Sequence, residues 1–256
     1  MQACVSLMMS PYNGDKIVEV AKSLGIKKFE IVCDNKIPEK IDVVSAQSLF
    51  NGVKCGGFFK DDAVAEIYAN ILIDRILDYA NKYKCKNFVF GSPKYRAISS
   101  HNEALIAVNF FRKVCDGISN KAILALENNP KEYCTNLGTT FNDCLDILSI
   151  VDRDNFKINF DIGGFLKSSV DYKYDLKNVL KNADKINHIH ISSFGLKPLS
   201  ELSENEIDDY KKIVNELKKV YMKTISLEEK KNLITNDFIE NDFIEKEIKL
   251  FKEIIC

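Results

Sequence analysis

The chain has 256 residues, 46% of them hydrophobic, enough to bury a large core as one α/β barrel or two smaller domains. Its 36 Lys and Arg nearly balance 37 Asp and Glu, for a formal charge of −1, so there is no basic footprint for nucleic acid. No stretch reaches the roughly 18 apolar residues of a membrane span, and the opening MQACVSLMMSPYNGDK lacks the basic start of a secretory signal, so a membrane is not an expected partner either.

Eight cysteines form no CxxC pair and no zinc-finger spacing, which suits a reducing, cytoplasmic setting. From the N-terminus, short apolar runs of strand length alternate with longer segments of helical period. A strand over 3–7 leads to a helix over 15–24, with Ile17, Val20, Ala21 and Leu24 on one stripe, Asp15 as N-cap and Gly25 as the stop. The strand over 28–32 is followed by NKIPEKID, which is too short and Pro-interrupted for a full helix. A shortened or missing second helix is the expectation there. Strands over 42–48, 87–90 and 122–126 then alternate with helices over 63–84, 102–120 and 142–151. The pattern continues with strands over 156–160, 186–191 and 224–227 and helices over 175–182 and 204–217. The last helix runs to the C-terminus on Ile244, Ile248, Phe251 and Ile255.

The doublet NDFIENDFIE at 236–245 repeats every five residues, an advance of about 140° on a helix, so its copies share no buried stripe and read as a local duplication. No linker divides the chain, and neither GxGxxG nor GxxxxGK occurs. Eight strands in βα order predict one domain over 1–256, a (β/α)8 TIM barrel.

Four strands end on a polar residue where barrel active sites are built: ALALE at Glu127, KINFD at Asp161, INHIH at His190 and TISLE at Glu228, separated by 34, 29 and 38 residues. Strand alternation places Ala125, Asn159, His188 and Ser226 one layer beneath them, while the bulk lies on the other face at Leu126, Phe160, Ile189 and Leu227. The polar four should therefore face inward. Three carboxylates and an imidazole confined together repel one another unless a cation sits between them, so one divalent metal is expected. One nitrogen and three carboxylates suit Mn²⁺ first, with Mg²⁺, Co²⁺ and Zn²⁺ as alternatives.

His188 reads as a core or supporting imidazole and is carried as a substrate-contact candidate; Glu229 alternates to the other face and reads as surface. Lys94 and Arg96 in GSPKYR, where Gly91 permits close backbone approach, form either an anion clamp or an ordinary loop pair. His101 opens a helix as a surface residue, and Tyr12 and Phe59 are either mouth-lining aromatics or packing anchors.

The segments ALENNP, NFDIGG, INHIHIS and ISLEEK, with FGSPKYR, resemble the strand ends of the xylose isomerase-like TIM barrels, in particular the sugar phosphate isomerase and epimerase group. The resemblance implies a metal held by Glu127, Asp161, His190 and Glu228, with Glu127 and Glu228 also moving protons on opposite faces of a sugar or sugar phosphate through an enediolate. It implies a carbohydrate as the partner and leaves a homo-oligomer open. The chain departs from many members at Gly164 and from ketose 3-epimerases at Ser193 and Leu196, where Lys197 is the adjacent candidate substrate contact. Two other functions stay open: a dehydratase or aldolase acting on inositol-like polyols, and a non-catalytic sugar-binding homologue. An apurinic endonuclease, with its many histidines, fits poorly with only three His.

Overall fold

A computed structural model of the chain describes residues 1–10, 13–54, 56–230 and 240–256. Tyr12, Cys55 and residues 236–239 of the doublet lie outside them. The strands are β1 (Gln2–Ser6), β2 (Lys28–Val32), β3 (Asp42–Gln47), β4 (Asn87–Phe90), β5 (Ile123–Glu127), β6 (Phe156–Asp161), β7 (Ile186–Ile191) and β8 (Thr224–Leu227). They pair in parallel in that order and β8 returns to β1, closing a barrel. Because helices cover the outside, the strands are apolar outward as well: Leu126, Phe160, Ile189 and Leu227 are fully buried.

The helices form where the sequence offers both an apolar stripe and a cap. Asp61 caps α2 (Asp62–Tyr83) and Ser100 caps α3 (His101–Ile118), each accepting a backbone N–H of the first turn. Thr140 with Asp143 and Ser203 with Glu206 build reciprocal capping boxes on α4 (Phe141–Val151) and α7 (Glu204–Leu217). Each such cap contributes about 1 kcal/mol. In α1 (Gly14–Ser23) the cap position is Asn13, whose side chain donates to Ser10 Oγ and does not cap the helix, and Asp15 lies inside the first turn instead. Gly25, at φ +84°, stops that helix as expected.

No helix separates β2 from β3, as the NKIPEKID segment predicts. One helix escaped prediction: α5 (Ile162–Ser168) starts directly on the end of β6, and its two glycines are poor helix formers. The glycines are there for contact. A Cβ on Gly163 would stand 2.4 Å from Ser192 O, and one on Gly164 would stand 2.6 Å from Asn128 O, so no histidine fits at 164. Then α6 (Tyr172–Lys181) begins on its Asp171 cap, three residues ahead of the expected start, and α8 (Asn241–Ile255) packs its Ile244, Ile248 and Phe251 stripe into the core. Phe59 is a core residue packed on Phe58, Phe110 and Phe111, not part of the mouth. Among the described residues no helix is long and apolar enough to cross a membrane.

Two register shifts bear on the interior. Between Phe29 and Glu30 the pairing skips Val44, setting Ser45 opposite Glu30. Between Ile158 and Asn159 it skips Asn187, which brings His188 level with Asn159 and His190 level with Asp161. Bulges of this kind re-aim side chains near sites.

Candidate metal centre and active site

Glu127, Asp161 and Glu228 line the floor of a cavity of about 560 Å³ at the C-terminal ends of the strands, with Asn129, Tyr133 and Leu196 among its walls. His190 lies beneath them, fully buried. The four residues each turn one ligand atom toward a common centre, all within 4.8 Å of one another. Exposure of the three acids is 8% or less, so none is a solvated rim charge.

Glu127 and Asp161 are each held by their own set of donors. Glu127 accepts the amides of Asn159 on Oε1 (2.8 Å) and Asn129 on Oε2 (2.7 Å). Gly91 leaves room for it, because a Cβ there would stand 2.8 Å from Glu127 Oε2. Asp161 doubles as the cap of α5: its Oδ1 accepts Gly164 N at 2.7 Å, and Ser192 Oγ donates to the carboxylate at 2.7–2.8 Å. The Asn128 amide binds both the N–H and the C=O of Asp161 at 2.9 Å, locking the end of β6 to that of β5.

His190 Nδ1 stands 2.8 Å from Glu127 Oε1 and 3.0 Å from Glu228 Oε2. Neither approach has hydrogen-bond geometry, and Nδ1 has no hydrogen-bond partner among the described residues. Its other nitrogen, Nε2, bonds Glu30 Oε2 at 2.9 Å. A buried ring nitrogen flanked by two carboxylate oxygens, with the opposite nitrogen tied to a third carboxylate, is the arrangement of a metal-bound imidazole.

Electrostatics agree. Burial, then the charges of Glu127 and Glu228, push the Asp161 carboxyl up to about 7. Burial and the Glu127 and Glu30 charges likewise raise Glu228 against the pull of His190. Burial also opposes ionisation of Glu127, but His190, Asn129 and Arg96 more than offset it and hold its carboxyl below the usual range. Burial disfavours a charged His190, yet Glu30, Glu228 and Glu127 draw its pKa well above that of a free imidazole. Three carboxylates share one imidazole, and a divalent ion is the charge that would let all three ionise. The residues fit such an ion.

Other candidates sit differently. Arg96 is fully buried: its guanidinium donates to the carbonyls of Phe90 (3.2 Å), Glu127 (2.8 Å) and Gly138 (3.3 Å), so it clips strand ends together and does not clamp an anion. Burial lowers its pKa to about 10. Lys94 is exposed with its ammonium 5.9 Å from the Tyr95 ring centre, and neither it nor the exposed Lys197 lines the cavity. His188 is fully buried on Thr224 Oγ1 (2.6 Å) and Ser226 Oγ (2.8 Å), out of substrate reach. Glu229 is not a surface residue. It is fully buried and accepts Leu199 N at 3.3 Å. Glu30, mid-strand in KFEIV, was not foreseen; the available signal was a lone acid inside a strand that a covered parallel barrel buries on both faces.

A family model for the xylose isomerase-like TIM barrel matches residues 18–254, nearly the whole chain. The chain belongs to that family. No curated protein sequence matches this member of the xylose isomerase-like barrels. Among solved structures it is similar to D-allulose 3-epimerase from Methylomonas sp. in complex with D-allulose (TM-score 0.77, 16% identity, 99% of this chain and 96% of that one). It is also similar to an L-ribulose 3-epimerase (0.76, 13%, 100% and 95%) and to the IOLI protein with a zinc atom bound (0.70, 16%, 100% and 98%). At these identities the likeness shows the shared xylose isomerase-like fold.

Proposed function

We propose that this chain, acting as one domain over 1–256, is a divalent-metal-dependent isomerase or epimerase of a sugar bearing a ketone beside a hydroxyl. The observation that carries the reading is the convergence of Glu127, Asp161, Glu228 and the partnerless Nδ1 of His190 on one point in the cavity floor. These four would hold the ion, with Mn²⁺ the best match to three carboxylates and one nitrogen. Bound there, the ion would supply Lewis acidity toward a substrate carbonyl, which acidifies the neighbouring C–H.

The chain's own groups do the rest. Glu127 and Glu228 come from β5 and β8, line the same cavity, and can take and return a proton at a substrate carbon. Glu127 is oriented by two amide donors, whereas Glu228 Oε2 lies 3.0 Å from His190 Nδ1 without hydrogen-bond geometry. Burial around them keeps bulk water from competing for the proton. Among the described residues the cavity lining carries three acids and no Lys, Arg or His, which favours a neutral sugar over a sugar phosphate.

The test is solvent exchange. Mn²⁺-loaded protein incubated in D₂O with D-fructose, D-allulose, D-tagatose, L-ribulose and ketose phosphates should place deuterium at a carbon next to the ketone of at least one of them. Glu228→Gln should slow that exchange by about 10²–10⁴-fold. Exchange with no member of the panel rejects the reading.

A further inference from the structure

The Glu30 carboxylate lies fully buried in the barrel interior, below the four converging residues and outside the cavity lining. Its near neighbours are donors: Ser45 Oγ at 2.7 Å on Oε2, Gln47 Nε2 at 2.8 Å on Oε1, and His190 Nε2 at 2.9 Å on Oε2. The donors are themselves held. Asn87 Nδ2 bonds Ser45 Oγ, and Gln47 Nε2 also bonds Ser6 Oγ. An ionised carboxylate only accepts, so the His190 nitrogen facing it carries a hydrogen. In the neutral ring the opposite nitrogen, Nδ1, then has a bare lone pair, and Nδ1 is the partnerless atom aimed between Glu127 and Glu228.

We propose that Glu30 is the positioning residue of the metal centre: by accepting the Nε2 hydrogen it holds His190 in the tautomer whose Nδ1 lone pair faces the ion. This rests on the metal reading above. The fold supports it independently, because the two strand irregularities of the interior both serve this contact. One sets Ser45 opposite Glu30, and the other raises His188 and His190 to the level of Asn159 and Asp161.

Glu30, His188 and His190 also lie close enough to hold an ion of their own. Their facing atoms are already engaged, however. Both His188 nitrogens bond hydroxyls of β8, and Glu30 Oε2 is taken by Ser45 and His190. His188 stands edge-on to His190, ring centres 5.3 Å apart, and fills the space beneath it. The trio supports the centre above it and is not a second one.

The experiment reads the tautomer and the affinity without turnover. With three histidines in the chain, long-range ¹⁵N–¹H correlations separate the rings. Zn²⁺-loaded wild type should show His190 protonated on Nε2. Glu30→Gln keeps an oxygen for that hydrogen but removes the charge, and should weaken Mn²⁺ and Zn²⁺ about tenfold by chelator competition; Glu30→Leu should weaken them about 100-fold and mix the tautomers. An Nδ1-protonated His190 in the wild type overturns the proposal. So does binding within twofold of wild type in folded variants, and if Glu30→Leu fails to fold, Glu30→Gln alone decides. A wild type that binds neither ion overturns the metal reading and this inference with it.

Discussion

From a fully buried position the Arg96 guanidinium donates to the carbonyls of Phe90, Glu127 and Gly138, tying the ends of β4 and β5 to the loop that follows. Arg96→Met would keep the apolar stem and leave those carbonyls without their donors, at about 1–3 kcal/mol for each one stranded. Urea unfolding should therefore show a loss of about 3–5 kcal/mol. A loss under 1 kcal/mol would mean that water replaces the guanidinium. The four converging residues were legible because each is a polar stop on an apolar run, and alternation then gives its face. Arg96 was not, since a cation six residues past a strand reads as solvated until the chain is seen to fold it inward. Glu30 was hidden for the opposite reason. It stands mid-strand, and alternation alone does not say that its inward face meets Ser45, Gln47 and His190.

At the level of elements, β8 carries two neighbouring acids with opposite surroundings. Glu228 faces the cavity, while Glu229 is buried toward Glu247 of α8 and the Leu199 N–H. Burial, then the Glu247 charge, raises the Glu229 carboxyl well above its ordinary 4.5. The folded state thus holds this proton more tightly than the unfolded chain. The resulting stability is complete below the unfolded value and is lost as pH rises through the folded one. Glu229→Gln, which mimics the protonated form, should flatten thermal stability between about pH 5 and 8 and raise Tm at the upper end. An unchanged pH profile would show that Glu229 is already neutral or compensated across that range. Most element boundaries followed from caps and stripes, and the gap after β2 followed from Pro38. The miss at α5 has a physical cause: Gly163 and Gly164 lower helix propensity, and they stand there because Ser192 O and Asn128 O leave no room for a side chain.

The molecule as a whole is a closed barrel whose outward faces are apolar and whose interior carries a polar column from Asn87 and Ser45 through Glu30 and His190 to the carboxylates of the floor. That column costs folding energy unless every member is paired. The hydrogen bonds satisfy it at the base, and a divalent ion would satisfy it at the top, where three carboxylates surround one imidazole nitrogen. The barrel order was readable from eight strands in sequence, all but one pair separated by a helical period. The cavity walls were not, since they come from loops whose path depends on contacts far apart in the chain. The claim on which function rests is the ion site. An anomalous-difference map from crystals grown with Mn²⁺ measures it directly. The account predicts one peak in the cavity floor, roughly 2.0–2.3 Å from oxygens of Glu127, Asp161 and Glu228 and from His190 Nδ1. A map with no peak there, or with Mn²⁺ bound through Nε2 or away from any two of these residues, would contradict it.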